Sequence, residues 1–307
     1  MGSFYITTAI NYVNAAPHLG HAYEVIAADV IARQRRQAGD DVFFLTGTDE
    51  HGEPVVHAAA DQGTTPQALA DKNVEHFKSL LPLLEVSNDF FIRTTDAGHA
   101  KVVQQVLAKV KDNGFVYLGE YEGWYCPRCA DFKADNEVGP GNTCPIHGIP
   151  LIREKEENYF FALSKFQDRL EQLFADDPDW TGPAERRNEV LAFIRSGLRD
   201  VSLTRSQMTW GVAVPWDDKH VFYVWFEALL NYYSALAYAQ GDDITAEFWP
   251  CDVHLIGKDI IKFHSVFWPA LLMAADIELP RRIYAHGFLL GADGRKMSKS
   301  DGNVLDP

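Results

Sequence analysis

Two histidines three residues apart, in the run Pro17-His18-Leu19-Gly20-His21, stand where a β-prone stretch gives way to a helical one. A helix N-terminus offers unbonded N–H groups and partial positive charge, so it gathers anions. Two imidazoles on its first turn add donors, and Gly20 leaves room for a flat ring or a phosphate to approach the backbone. Near the other end, Lys296-Met297-Ser298-Lys299-Ser300 follows Gly291-Ala292-Asp293-Gly294-Arg295. Lysines on a glycine-rich loop can close over a polyphosphate and neutralise charge as it develops. Singly, neither run decides anything: paired histidines near a turn are often surface residues, and Lys-Ser runs are usually solvated. A third cluster is Cys126-x2-Cys129-x14-Cys144-x2-His147. Two tight knuckles at that spacing make a closed tetrahedral set, the pattern of one structural Zn2+. Cys251 stands alone, so reduced thiols and a cytoplasmic protein are expected.

These groups need a frame. Phe4 to Thr8 is β-prone; Asn11, Asn14 and Pro17 punctuate a loop; apolar residues then recur at helical spacing over 18–38 until Gly39. Val42-Phe43-Phe44-Leu45 reads as a strand buried on both faces. A helix over 66–84, a strand over 90–92 and a helix over 96–113 continue the alternation of a doubly wound parallel α/β sheet, Rossmann-like in class. The pattern breaks over 115–215, where short β-prone pieces, turns and the cysteines read as an inserted zinc-bearing connective module. Val221 to Trp225 restarts the alternation as a buried strand running into a helix. Val253 to Ile256 supplies another strand, with a helix over 259–275 after it. The expected organisation is therefore 1–114 and 216–290 as two halves of one catalytic domain, 115–215 as the insertion, and 291–307 as a mobile terminal loop.

Composition narrows the partners. The 307 residues are 47% apolar and 23% charged, with a net charge of -15, which argues against a surface that grips nucleic acid all over. The start lacks a basic segment and a long apolar run, so no leader is expected. The most apolar stretch, 221–239, is interrupted by Glu227, Asn231 and Ser234 and is read as core, not as a membrane span.

Taken together and in this order, the HLGH and KMSKS runs resemble those of class I aminoacyl-tRNA synthetases. Further runs resemble the methionine-specific family within that class. They are Gly47-Thr48-Asp49-Glu50-His51-Gly52, Tyr223 through Tyr232, and Leu255-Ile256-Gly257-Lys258-Asp259-Ile260, beside the zinc cluster. The resemblance covers essentially the whole chain. It implies a methionine–tRNA ligase that activates methionine with ATP and transfers it to tRNA(Met), with Mg2+ accompanying ATP and no membrane or DNA partner. Because the carboxylate of methionine is itself the nucleophile, such an enzyme needs positioning and charge stabilisation more than a strong base.

The resemblance also implies roles. His18 and His21 would hold the α-phosphate, and Lys299 with Lys296 the departing pyrophosphate. Asp259 would accept from the ATP ribose at the carboxyl end of a strand, beside Gly257, where adenine could come close. Lys258, Gly20, Glu24 and Leu289 complete the ATP set. Asp49, otherwise an ordinary loop carboxylate, would pair with the methionine ammonium. Ile10, Tyr12, Trp225, Ala228, Leu229, Tyr232, Ile260 and His264 would line a pocket suited to a polarisable thioether, with Trp268 behind it. Taken alone, each of these aromatics is more often core than pocket. Glu227 departs from the family, which more often has Asp there. The family's helical anticodon-binding domain would follow residue 307. Its absence from the sequence predicts a truncated or split protein that activates methionine but charges tRNA poorly. No large editing insertion is seen, so close analogues such as norleucine should leak through. Two other readings are an inert synthetase-like interaction module and an enzyme for another class I amino acid such as leucine or isoleucine. Intact His18, His21, Asp49, Lys296 and Lys299 speak against the first.

Overall fold

The computed structural model describes residues 2–128, 131–133, 135–241 and 243–290. Among the described residues the main sheet has six strands. They are β1 (Ser3–Tyr12), β2 (Asp41–Asp49), β3 (Phe90–Arg93), β4 (Thr181–Gly182), β5 (Val253–Gly257) and β6 (Ile283–His286). Their order is β3-β2-β1-β5-β6-β4, and every neighbouring pair is parallel. The chain winds one way from β1 through β2 to β3 and the other way from β5. The switch point, where ligands bind in such sheets, is therefore the crevice between β1 and β5.

The strands bury both faces, as their continuous apolar runs require. Tyr5, Phe43 and Leu45 enter one core; Phe4, Ile6, Val42 and Phe44 enter the other. Burying each of these side chains contributes roughly 1.5–3 kcal/mol. Helix α1 (Leu19–Ala38) covers the second face with Ala28 and Ala32 and ends at Gly39. Gly39 has φ 94° and returns its N–H to the Arg35 and Arg36 carbonyls, a conformation that favours glycine. Gly47 in β2 is needed for contact: a Cβ there would overlap the Ile92 carbonyl of β3.

Within 115–215 the chain forms a second, antiparallel sheet of Asp131–Lys133, Val116–Cys126, Ile152–Phe161 and Val201–Ser202. It shares a core with the main sheet: Phe161 stacks on Phe166 and meets Phe226 edge-on, both at 5.5 Å. The same stretch also returns to the main sheet, where β4 pairs with β6 at its edge.

Some local expectations are corrected. Val221–Phe222 is a two-residue strand paired antiparallel with Thr204–Arg205 and is not part of the main sheet; helix begins at Val224. A short apolar run does not distinguish a buried strand from a buried helix. The expected helix over 259–275 is a 3-10 turn (Lys258–Ile260), a π-helical turn (Phe263–Phe267) and an α-helix (Trp268–Ala274). Trp268 bonds back five residues to Phe263, just before Pro269, which has no N–H to give. Strand β6, strand β4 and a helix at Glu53–Asp61 were not anticipated. No described helix is long and apolar enough to cross a membrane.

Candidate active site

The first element of the site is the mouth of α1. His18 is its N-cap, and its side chain accepts the Gly20 N–H at 3.0 Å. His21 Nδ1 accepts the His18 N–H at 2.9 Å, closing a capping box, and the two rings stack 3.9 Å apart. Both Nδ1 atoms are acceptors, so the neutral rings carry their protons on Nε2. Gly20 serves this arrangement differently from the expectation: the space its Cβ would fill is taken by the His18 ring, 2.8 Å away at Cε1.

The second element is the switch-point floor. β1 shifts register between Thr7 and Ile10. The Ala9 N–H at this irregularity is taken by Glu24 Oε1 at 2.8 Å. Glu24 Oε2 bonds His286 Nε2 at 2.8 Å, joining α1 to the carboxyl end of β6. Burial holds the Glu24 carboxyl above its ordinary value although His286 opposes it. Burial works most strongly on His286, against its charge, but the bond to Glu24, the bond to the Gly287 carbonyl and the charges of Glu24 and Asp259 together outweigh it and raise its pKa. Gly257 ends β5, and the Asp259 carboxylate lies 2.8 Å from where its Cβ would be. Lys258 Nζ stands 4.4 Å over the Phe288 ring.

Asp49 closes β2. It is 3% exposed, and its Oδ1 has no hydrogen-bond partner. Burial first, then the nearby Glu227, push its carboxyl well above the ordinary aspartate value, against a hydrogen bond from the His51 N–H. Trp225 lies flat on Phe263 (3.7 Å, 6°) and meets Tyr12 edge-on at 6.2 Å. Trp225 Nε1 is likewise buried and unbonded. Tyr232 OH is 2.7 Å from His264 Nε2, and His264 Nδ1 is 3.0 Å from the Ile260 carbonyl. Since a carbonyl only accepts, His264 carries its proton on Nδ1 and Tyr232 donates to Nε2. Burial lowers the His264 pKa to about 4, so the ring is neutral. Trp268 lies behind, 6.0 Å from Tyr232, its Nε1 on His254 at 3.2 Å.

Most of these groups open on one cleft of about 1220 Å³, with Trp268, His254 and Glu227 buried behind it. Ile10, Tyr12, His18, Gly20, His21, Glu24 and Asp49 line it from β1, α1 and β2. Trp225, Ala228, Leu229 and Tyr232 come from the helices after 223, and Gly257, Lys258, Asp259, Ile260, His264 and Leu289 from β5 onward. His286, Phe263 and Phe288 also line it and were not anticipated. The signal for His286 was the β-prone run ending at Gly287. Phe263 carried none beyond its place four residues after Asp259. Lys296 and Lys299 lie outside the described residues.

Cys126 Sγ and Cys144 Sγ each stand 3.7 Å from His147 Nδ1, and the three ligand atoms lie within 4.8 Å of one another. Zn–S and Zn–N bonds at a tetrahedral angle put S and N about 3.6 Å apart, so this set fits such an ion. Cys129 lies outside the described residues. The two cysteines are buried beside Leu151, while His147 is exposed and edges the cleft.

The chain matches the family profile described as tRNA synthetases class I (M) over residues 4–150 and 142–307. A methionine–tRNA ligase of Thermotoga maritima is 50% identical over 307 residues, which are 99% of this chain and 49% of that protein. One from Rickettsia conorii is 48% identical over 99% of this chain and 60% of its own length. Mycobacterium tuberculosis methionyl-tRNA synthetase in complex with methionyl-adenylate superposes with TM-score 0.95 at 47% identity, covering 100% of this chain and 61% of that one. Its apo form gives 0.81 at 43% identity, over 94% of this chain and 56% of that one. The chain thus spans about half to three fifths of the length of these relatives. On profile, identity and fold together, it belongs to the methionyl family of class I tRNA synthetases.

Proposed function

We propose that this chain is the amino-acid-activating part of a methionine–tRNA ligase. The observation that carries the reading is the convergence of two unlike features on one cleft: a buried carboxylate with an unbonded oxygen at Asp49, and a histidine-capped helix mouth. The first suits an ammonium, the second a phosphate.

In this reading the methionine ammonium pairs with Asp49. Its side chain enters the space between Tyr12, Trp225, Ala228, Leu229 and Ile260, with the Tyr232–His264 pair at the tip. One methionine carboxylate oxygen attacks the α-phosphorus of ATP; the bond to the β-phosphate oxygen breaks, and pyrophosphate leaves with that electron pair. His18 and His21 direct Nε2–H groups at the α-phosphate as charge builds there. Gly257, Lys258, Asp259, Glu24 and Leu289 hold the adenosine end. Lys296 and Lys299 take the leaving pyrophosphate, and Mg2+ travels with ATP. A terminal ribose hydroxyl at the 3′ end of tRNA(Met) then attacks the carbonyl carbon of the adenylate; the ester forms, the acyl–phosphate bond breaks and AMP leaves.

Residues 115–215 act as a connective module between the two catalytic halves, 1–114 and 216–290, and 291–307 carry the phosphate-closing loop. Cys126, Cys129, Cys144 and His147 hold one zinc, whose contribution is to fix the knuckle, not to react. Thiolate ligation needs a reducing compartment, which supports a cytoplasmic setting.

The test is exchange of labelled pyrophosphate into ATP. Methionine-dependent exchange is expected, with little or no response to leucine or isoleucine. No exchange with any amino acid would return the chain to an inert module.

A further inference from the structure

One acid in the run 223–232 has no place in the pocket just described. Glu227 is fully buried on the helix Val224–Leu229, whose Trp225, Ala228 and Leu229 line the cleft. Its two carboxylate oxygens are each taken by an imidazole: Oε1 by His51 Nδ1 and Oε2 by His99 Nε2, both at 3.0 Å. His51 belongs to the turn after β2, and its N–H bonds the Asp49 carboxylate. His99 belongs to the helix Ala97–Asp112, and its other nitrogen is 2.7 Å from Ser234 Oγ. The turn is tied down elsewhere too: the Glu50 carbonyl accepts from Trp210 Nε1 at 2.7 Å, and the Glu50 N–H is held by Thr94 Oγ1 at 2.9 Å.

We propose that Glu227 is a positioning residue for amine recognition: clamped between His51 and His99, it locks the turn that aims Asp49 against the helix that presents Trp225. The argument runs through His51, whose ring grips Glu227 while its backbone grips Asp49. A shift of that ring re-aims the ammonium-binding carboxylate. Glu227 also acts on Asp49 at a distance, its charge raising the Asp49 pKa, although its own oxygens are taken by the two imidazoles. A buried carboxylate held by two imidazoles is weak evidence of stabilisation and is better explained by the geometry it fixes. The proposal rests on the reading of Asp49 as the ammonium partner.

The experiment compares steady-state exchange in wild type, Glu227→Gln, Glu227→Asp, Asp49→Asn and the double variant Asp49→Asn/Glu227→Gln, with thermal melting alongside. Glu227→Gln should raise KM for methionine about tenfold or more and leave KM for ATP within about twofold. Glu227→Asp, which keeps the charge but is too short to span both rings, should recover part of the loss. In the Asp49→Asn background Glu227→Gln should add less than about twofold, because the two act through one contact. Three results overturn the proposal: an unchanged methionine KM in folded Glu227→Gln, equal rises for both substrates, or full additivity with Asp49→Asn. If Glu227→Gln does not fold, His99→Gln removes one arm of the clamp and is read the same way. Wild type inert in exchange would sink the functional reading and this proposal with it; an active wild type beside an indifferent Glu227→Gln sinks only the proposal.

Discussion

His18 and His21 complete each other's turn: the His21 ring accepts the His18 N–H at 2.9 Å while the two imidazoles stack at 3.9 Å. Helix start and proposed phosphate site are thus one structure. The two roles can be separated, because Asn caps helices as well as any residue but offers no ring N–H in that place. His18→Asn should keep the melting free energy within about 0.5 kcal/mol of wild type. Exchange should drop roughly a hundredfold or more, the usual cost of losing an oriented donor to a developing anion. Equal activity in the two proteins would remove His18 from the chemistry.

Asp49 sits in a conflict between stability and use. Burial and Glu227 raise its pKa in the folded chain. For an acid so raised, the folded state binds more protons than the unfolded one, so its contribution falls as pH rises from the unfolded to the folded pKa. Asp49→Asn should therefore raise the melting temperature at neutral pH while sharply weakening, without abolishing, methionine binding. The same shift gives a sign for affinity. If, as proposed, the ammonium pairs with the carboxylate, methionine should bind more tightly as pH rises through the Asp49 transition, with proton release on binding. Calorimetry in buffers of different ionisation enthalpy measures that release; affinity independent of pH in wild type would mean Asp49 is ionised throughout.

How much of this was legible beforehand depends on where the determining contact lies along the chain. α1 was readable because its stop signal, Gly39, and its apolar spacing are local, and β2 because Val42 to Leu45 is apolar without a break. β4 was not: two residues, Thr181 and Gly182, become a strand only because Ile283 and Tyr284 lie beside them. The cleft divides in the same way. Asp49, Trp225 and Asp259 stand in runs whose letters carry a resemblance. The Glu24–His286 bond joins residues 262 apart in sequence, and Phe263 matters only as the surface under Trp225. The unanticipated His51–Glu227–His99 clamp likewise ties together three separate stretches.

The metal site makes a separate prediction. Cys126, Cys144 and Leu151 form their own small apolar cluster, too small to hold a knuckle without an added constraint. Purified protein should contain about one zinc per chain. Cys144→Ser, or a strong chelator, should remove it and expose 126–150 to protease while the main melting transition persists. Exchange should fall as well: Tyr125, next to Cys126, hydrogen-bonds Glu53, four residues past Asp49, and Arg205 at 2.8 Å. Full zinc occupancy in Cys144→Ser would refute the ligand set.

Gly20 offers the sharpest contrast between local propensity and site geometry. In a helix, replacing glycine by alanine ordinarily stabilises by roughly 0.5–1 kcal/mol. Here the new Cβ would lie 2.8 Å from His18 Cε1 and 3.0 Å from its Nδ1, so the ring must swing out and surrender both the cap and the stack on His21. Loss of an N-cap costs about 1 kcal/mol, which cancels the gain in propensity. Gly20→Ala should therefore melt close to wild type yet lose about tenfold or more in exchange. The loss should fall on kcat and leave KM for methionine unchanged, because in the proposed reading Asp49 and the residues around Trp225 hold the amino acid while His18 faces the phosphate. A rise in methionine KM alone would place the His18 ring beside the amino acid and not beside the phosphate.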